Sequence, residues 1–277
     1  TWLISHRESC RAHARKELSS ELLDRRTACL GRARAALAAL ADLSAQAADA
    51  DVAGLVQAAS ALPDLAACTD DTALLAGSAP GPAIAAEVRA VDDALARIDV
   101  ERDAGRVSAA TSGLAPLLAR ATATGYAALE ARAQLAAGRV AMTAADGDLG
   151  AAAFAAATQA ALAADDDALV IEAWARHAWS ATMVGSPGAV DGRGLVEGIA
   201  ARVGERGRFA RALLHNNLGV VAMSGGDRAA ALREFGLARD QRTGLAPRDA
   251  AELGSALENL VLQSDDLTQR QRAGEEL

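Results

Sequence analysis

His6, Cys10 and His13 stand four and three residues apart, so a helix through them would carry a thiol and two imidazoles on one face. Those groups ligate zinc, and Cys29 is the candidate for a fourth position. The plainer reading is preferred: Cys10 and Cys29 pack as small apolar side chains while the histidines face water. No metal or other cofactor is expected. The acidic runs at 165–167 and 70–71 lack calcium-loop spacing and read as helix starts. "GRGLVEG" at 192–198 has the wrong glycine spacing for a dinucleotide loop and follows no strand.

Phosphoryl transfer needs a phosphate-covering glycine loop, a strand lysine and two aspartates in fixed roles. Lys16 is the only lysine, and its surroundings, "RAHARKELSS", read as helix. "HRES" at 6–9 places Glu8 where a catalytic-loop aspartate would be, with no asparagine soon after. No nucleophile, base and orienting group occur together, so no catalytic residue is expected. A net charge of -8 argues against nucleic acid as a partner. No run of eighteen apolar residues is free of charge, so no membrane span is expected. The first twenty residues are too polar for a signal peptide and lack a starting methionine, so the chain reads as a fragment or a processed product. Three cysteines, an odd count, do not suggest a disulfide framework, and a reducing cytoplasm is the expected location.

The elements behind these residues are helical. Alanine is abundant and has the best helix propensity, while β-branched and aromatic residues are few. The fold class expected is all-α. Self-similarity at 40–42 residues appears when Gly219 is taken as an anchor: Ala178, Gly138 and Ile98 precede it and Val261 follows. Each period fits a helix, a turn and a second helix, with turns in "DAGR", "DGDLG" and "SGGDR". "GSPGAVDGRG" gives one unit a longer loop at 185–194. Residues 1–77 belong to no repeat and form an N-terminal helical segment, with Leu23, Leu30 and Leu37, together with Ala33 and Leu40, drawing an apolar stripe. Residues 78–82 are a linker, and 83–277 are the repeat array.

Small residues explain how such hairpins close. Gly219 is expected where the first helix crosses the second, with Ala231 facing it. Gly226 ends one helix, Asp227 caps the next, and Phe235 is expected to fill the space against the following unit. Trp174 should pack inside its hairpin and Trp179 should lie at the groove or its rim.

"HNNLGVVAMSGGDRAAALREFGLA" resembles a tetratricopeptide repeat, with Leu218, Gly219, Gly226, Ala231, Phe235 and Ala238 at the signature positions. The strings "HRESC", "SSELLDRRTACL" and "ALPDLAAC", followed by the repeats, are similar to the segment downstream of the catalytic domain in large bacterial serine/threonine protein kinases, especially myxobacterial ones. The resemblance implies a right-handed α-solenoid of helix-turn-helix repeats with a regulatory or partner-binding role.

Stacked hairpins curve and expose their first helices on a concave face. Counting from the anchors puts Arg132, Arg139, Arg176, Asn217 and Asn259 on that face, with Asn216 and Trp179 near its edge. Asparagine can hold a peptide backbone, and arginine can grip a carboxylate or phosphate. The partner expected is therefore a protein or peptide, acidic or phosphorylated. The alternatives are self-association through the N-terminal leucine stripe, or a repeat domain of a transcriptional regulator.

Overall fold

The middle of the chain is built from alanine-rich helices of equal length separated by equal breaks. In the computed structural model, which describes residues 2–46, 48, 51–242, 244–245, 249–250 and 253–254, the regular structure is entirely α-helical and 3-10. Helices Val107–Ala123 (α6), Ala127–Thr143 (α7), Gly147–Ala163 (α8) and Asp167–Met183 (α9) each run 17 residues. Before them come Trp2–Ala14 (α1), Ser20–Ala45 (α2), Val52–Ser60 (α3), Asp71–Leu74 (α4) and Ala85–Asp103 (α5). After them come Arg193–Arg202 (α10), Arg208–Ser224 (α11) and Arg228–Arg242 (α12).

The breaks share one geometry. Gly105, Gly125, Ala145, Asp165 and Gly185 all have positive φ, so a left-handed residue follows each of five successive helices at the same interval. That conformation lets the next amide reach back and satisfy a carbonyl the helix leaves open, as in Arg106 N–H to Glu101 O at 2.8 Å and Ser186 N–H to Ala181 O at 2.8 Å. Ala145 and Asp165 adopt it despite carrying a Cβ. The following helices start on aspartate caps: Asp146 accepts from Leu149 N–H and Asp166 from Leu169 N–H, both at 3.1 Å. Asp227 does the same for α12, accepting from Ala230 N–H at 2.9 Å. The aspartate runs at 70–71 and 165–167 are thus helix starts, as read from the sequence.

The chain divides into two compact units, 1–144 and 145–277. In the first, α2 packs on α1, α3 and α5, and α5, α6 and α7 pack on one another. Residues 78–82 thus lie inside the first unit, between helices that pack on one another. Tyr126 Oη donates to Ser78 O at 2.7 Å and Arg25 Nη2 to Gly77 O at 3.1 Å, tying this stretch down at both sides. Ala36, Ala39, Leu43, Ala58 and Val100 form a core shared by α2, α3 and α5. In the second unit, α9 packs on α8, α10 and α11, and α11 packs on α12.

The leucine stripe on α2 is shifted from the expected one. Leu30 is buried, yet Leu37 is 51% exposed, and alanines at 33, 35, 36 and 39 fill the contact instead. Small side chains let α2 approach α3 and α5 closely, which a leucine seam would prevent. Val52–Thr69 reaches a mean hydropathy of 1.3 over 18 residues, but α3 ends at Ser60 and a 3-10 turn, Leu65–Thr69, begins after Asp64. Nine helical residues span about 14 Å, well short of the roughly 30 Å of a bilayer's hydrocarbon.

The cysteines also depart from the expectation. Cys29 on α2 and Cys68 in the 3-10 turn form a disulfide, their Cα atoms 5.5 Å apart, and Cys10 remains as an exposed thiol. Parity of the count carried no information, because one bridge and one spare thiol also make three. The bridge sits in a clasp. Arg25 Nη1 donates to Leu74 O at 2.8 Å, and Arg26 grips Asp71 Oδ1 through Nε and Nη2 at 3.0 and 2.5 Å. The strings "LLDRRTACL" and "LPDLAAC" therefore meet in space.

In the hairpin of α11 and α12, a Cβ on Gly219 would lie 2.6 Å from Cδ1 of Phe235. Ala231 and Phe235 are buried together with Val220 and Met223 against them. Gly219 sits where α11 meets α12, as expected, but the side chain nearest to it is Phe235 and not Ala231. The ring differs: it closes its own hairpin by lying on Gly219, where the sequence reading sent it toward the next unit.

Candidate partner-binding residues

Burial and bonding sort the expected groove residues into distinct roles. Arg132 on α7 makes a two-pronged pair with Asp92 on α5, Nε to Oδ1 at 2.8 Å and Nη2 to Oδ2 at 3.0 Å. Asp92 is 5% exposed, so the pair spans two helices whose sequence positions differ by 40. Asn217 on α11 donates to Ala175 O on α9 at 2.9 Å, across 42 residues. It is buried, not on an exposed face as expected. Within its own unit each side chain ties a helix to the one two before it, α7 to α5 and α11 to α9.

Asn216 is likewise buried instead of lying at an edge. Its Nδ2 donates to Asn217 Oδ1 at 3.1 Å, while its Oδ1 has no partner among the described residues. Helix α11 is flanked by both α9 and α12, which leaves little of it open. Arg176 reaches Glu172 one turn back, Nε and Nη2 at 3.0 and 2.8 Å from the same oxygen. Arg139 Nη1 lies 3.9 Å from Asp99 Oδ1, a carboxylate that also accepts from Arg102 Nη1 at 2.7 Å. Trp179 is half-buried, whereas Trp174 is buried with its indole N–H donating to Asp191 O at 2.9 Å. Asn259 lies outside the described residues.

The zinc set does not assemble. Cys29 is in the disulfide, His13 Nδ1 is 2.9 Å from Leu18 O, and the His6 ring stacks on Trp2. Cys10 is exposed, so neither cysteine is the small core side chain that was expected.

Sequence reasoning missed the residues around Arg132. Arg32 on α2 brings Nη1 to 3.7 Å from Asp92 Oδ2. Burial holds the Arg32 guanidinium below the ordinary arginine value; the charge of Asp92 opposes this and that of Arg132 adds to it. Nothing in "LGRARAAL" separates Arg32 from Arg34, because the difference is made by helices distant in sequence.

A second polar centre links α10, α11 and α12. Glu234 takes His215 Nδ1 at 2.8 Å and Arg193 Nη2 at 2.9 Å, and Arg193 Nε also reaches Glu197 at 2.7 Å. Burial acts to raise the Glu234 carboxyl, but the His215 hydrogen bond and charge, with those of Arg193, hold it below the usual carboxylate range.

No protein-family model, curated protein or solved structure matches the chain.

Proposed function

We propose that the chain is a non-catalytic binding scaffold: a right-handed solenoid of tetratricopeptide-like hairpins, of the kind that accompanies bacterial serine/threonine kinases, acting in the cytoplasm on a peptide or protein partner. The observation that carries this reading is a shared register. Helices α5, α7, α9 and α11 begin at Ala85, Ala127, Asp167 and Arg208, and the anchor residues Ile98, Gly138, Ala178 and Gly219 are buried in all four. Units that repeat in this way spend their apolar faces on neighbours and leave polar faces for partners. Arg176 and Trp179 are the groove residues retained in the proposal, since Arg132, Arg139 and Asn217 already face partners on other helices of their own units.

Calorimetry of the chain against a panel of acidic and phosphorylated peptides tests it. At least one peptide should bind, and Trp179→Ala should weaken it by about tenfold, the equivalent of roughly 1.4 kcal/mol. Absence of binding to every peptide, with a monomer turning into a dimer on sedimentation, would replace the scaffold with the second reading. That reading, self-association through the N-terminal helices, draws support from Leu3 and Ile4 on α1, 57% and 66% exposed.

A further inference from the structure

Of the two arginines that approach Asp92, only one is bonded to it. Arg132 bonds the carboxylate with one nitrogen on each oxygen. Arg32 remains 3.7 Å away, and among the described residues its guanidinium has no hydrogen-bond acceptor. Its side chain is still 35% accessible, so a ligand can reach it. The guanidinium has an ion-pair partner in Asp92 at 3.7 Å and a like charge beside it in Arg132, but no hydrogen-bond acceptor among the described residues for its fork of N–H donors. An added oxyanion would supply that acceptor.

The charge around Arg32 restricts which oxyanion fits. Asp92 and Asp93 both act on Arg32, and a Cβ on Gly31, the residue before it, would lie 3.7 Å from Asp93 Oδ1. Two arginines and two aspartates already balance. A dianionic phosphate would meet both aspartates at twice the charge of a carboxylate, whereas a carboxylate matches the planar fork with a single charge.

We propose that Arg32, with Arg132 beside it, is a docking point for one carboxylate of an acidic peptide, gripped two-pronged by the Arg32 fork. The inference rests on the partner-binding reading above and names the ligand chemistry and a residue that reading did not contain. Because α2 packs on α5 and α5 on α7, the point is built from three helices and does not depend on one flexible side chain alone.

The test uses the whole chain and an acetylated, amidated tri-glutamate peptide, with the tri-glutamine peptide and inorganic phosphate as comparisons. The Arg32 Nε–H signal should shift saturably with tri-glutamate and stay unmoved by tri-glutamine. Arg32→Gln should weaken tri-glutamate binding about tenfold, with Arg32→Lys falling between, because the point charge survives without the fork. Equal affinity in folded Arg32→Gln, or phosphate displacing tri-glutamate at Arg32, would overturn the proposal. Should Arg32→Gln fail to fold, the wild-type signal and Arg32→Lys decide the matter by the same criteria. Panel peptides that bind Arg32→Gln as they bind the wild type overturn this docking point and leave the scaffold reading standing; a panel with no binder at all overturns that reading.

Discussion

The segment from α2 to α4 and the hairpin of α11 and α12 solve the same problem with different means. Both must hold a helix against its neighbour with few large apolar side chains. In the first, a disulfide from Cys29, a two-pronged pair from Arg26 and a carbonyl clamp from Arg25 pin residues 65–77 to α2. In the second, one aromatic ring fits a glycine, with alanine beside it. A short helix of four residues and a 3-10 turn offer little area to bury, so cross-links replace packing there. Two long helices can meet along their length, and fit alone suffices.

Perturbing each device separates the two. Phe235→Ala should cost about 3–5 kcal/mol, read by urea denaturation, because the ring is fully buried against a residue that cannot expand to fill the gap. Gly219→Ala should cost about 1–3 kcal/mol by forcing a Cβ into that ring, and less when combined with Phe235→Leu. Replacing Cys29 and Cys68 together by serine should cost about 2–4 kcal/mol, since the bridge closes a separation of 39 residues in the unfolded chain. If the bridge closes the clasp, dithiothreitol should lower the melting temperature of the wild type and leave that of the double serine variant unchanged; a wild type purified from a reducing cytoplasm should instead behave as the serine variant until it is oxidised.

Acid gives the smallest separation. The Glu234 carboxyl titrates lower in the folded hairpin than the ordinary 4.5, so the stability it contributes is complete above that value and is lost as the pH falls through its folded value. Glu234→Gln should flatten the acid limb of the stability curve below pH 4.5. An acid limb of unchanged slope in that variant would show that His215 and Arg193 contribute nothing there.

The sequence revealed the helices, the turns and the caps because these depend on neighbours: alanine runs, Gly226 and Asp227 act within a few residues. It also located Gly219 at the meeting of α11 and α12 from the type of side chain alone. The left-handed Ala145 was invisible, since alanine does not announce that conformation, while Asp165, a type that tolerates it, was read only as part of a helix start. Arg132 and Asn217 were legible as polar residues among apolar ones but read as a binding face, whereas each bonds a neighbouring helix. A polar side chain on a helix serves a ligand or a neighbouring helix equally well until the neighbour's position is known. Cys29 with Cys68, and Arg32 with Asp92, needed tertiary packing that no local pattern encodes.

Left-handed residues at 145 and 165 fix where α8 can begin and end, so a change of length inside it alters which way its side chains face. One residue added inside α8 turns everything beyond it on that helix by about 100°. The buried Phe154 and Ala157 sit near its middle, and such an insertion upstream of them would swing both toward water.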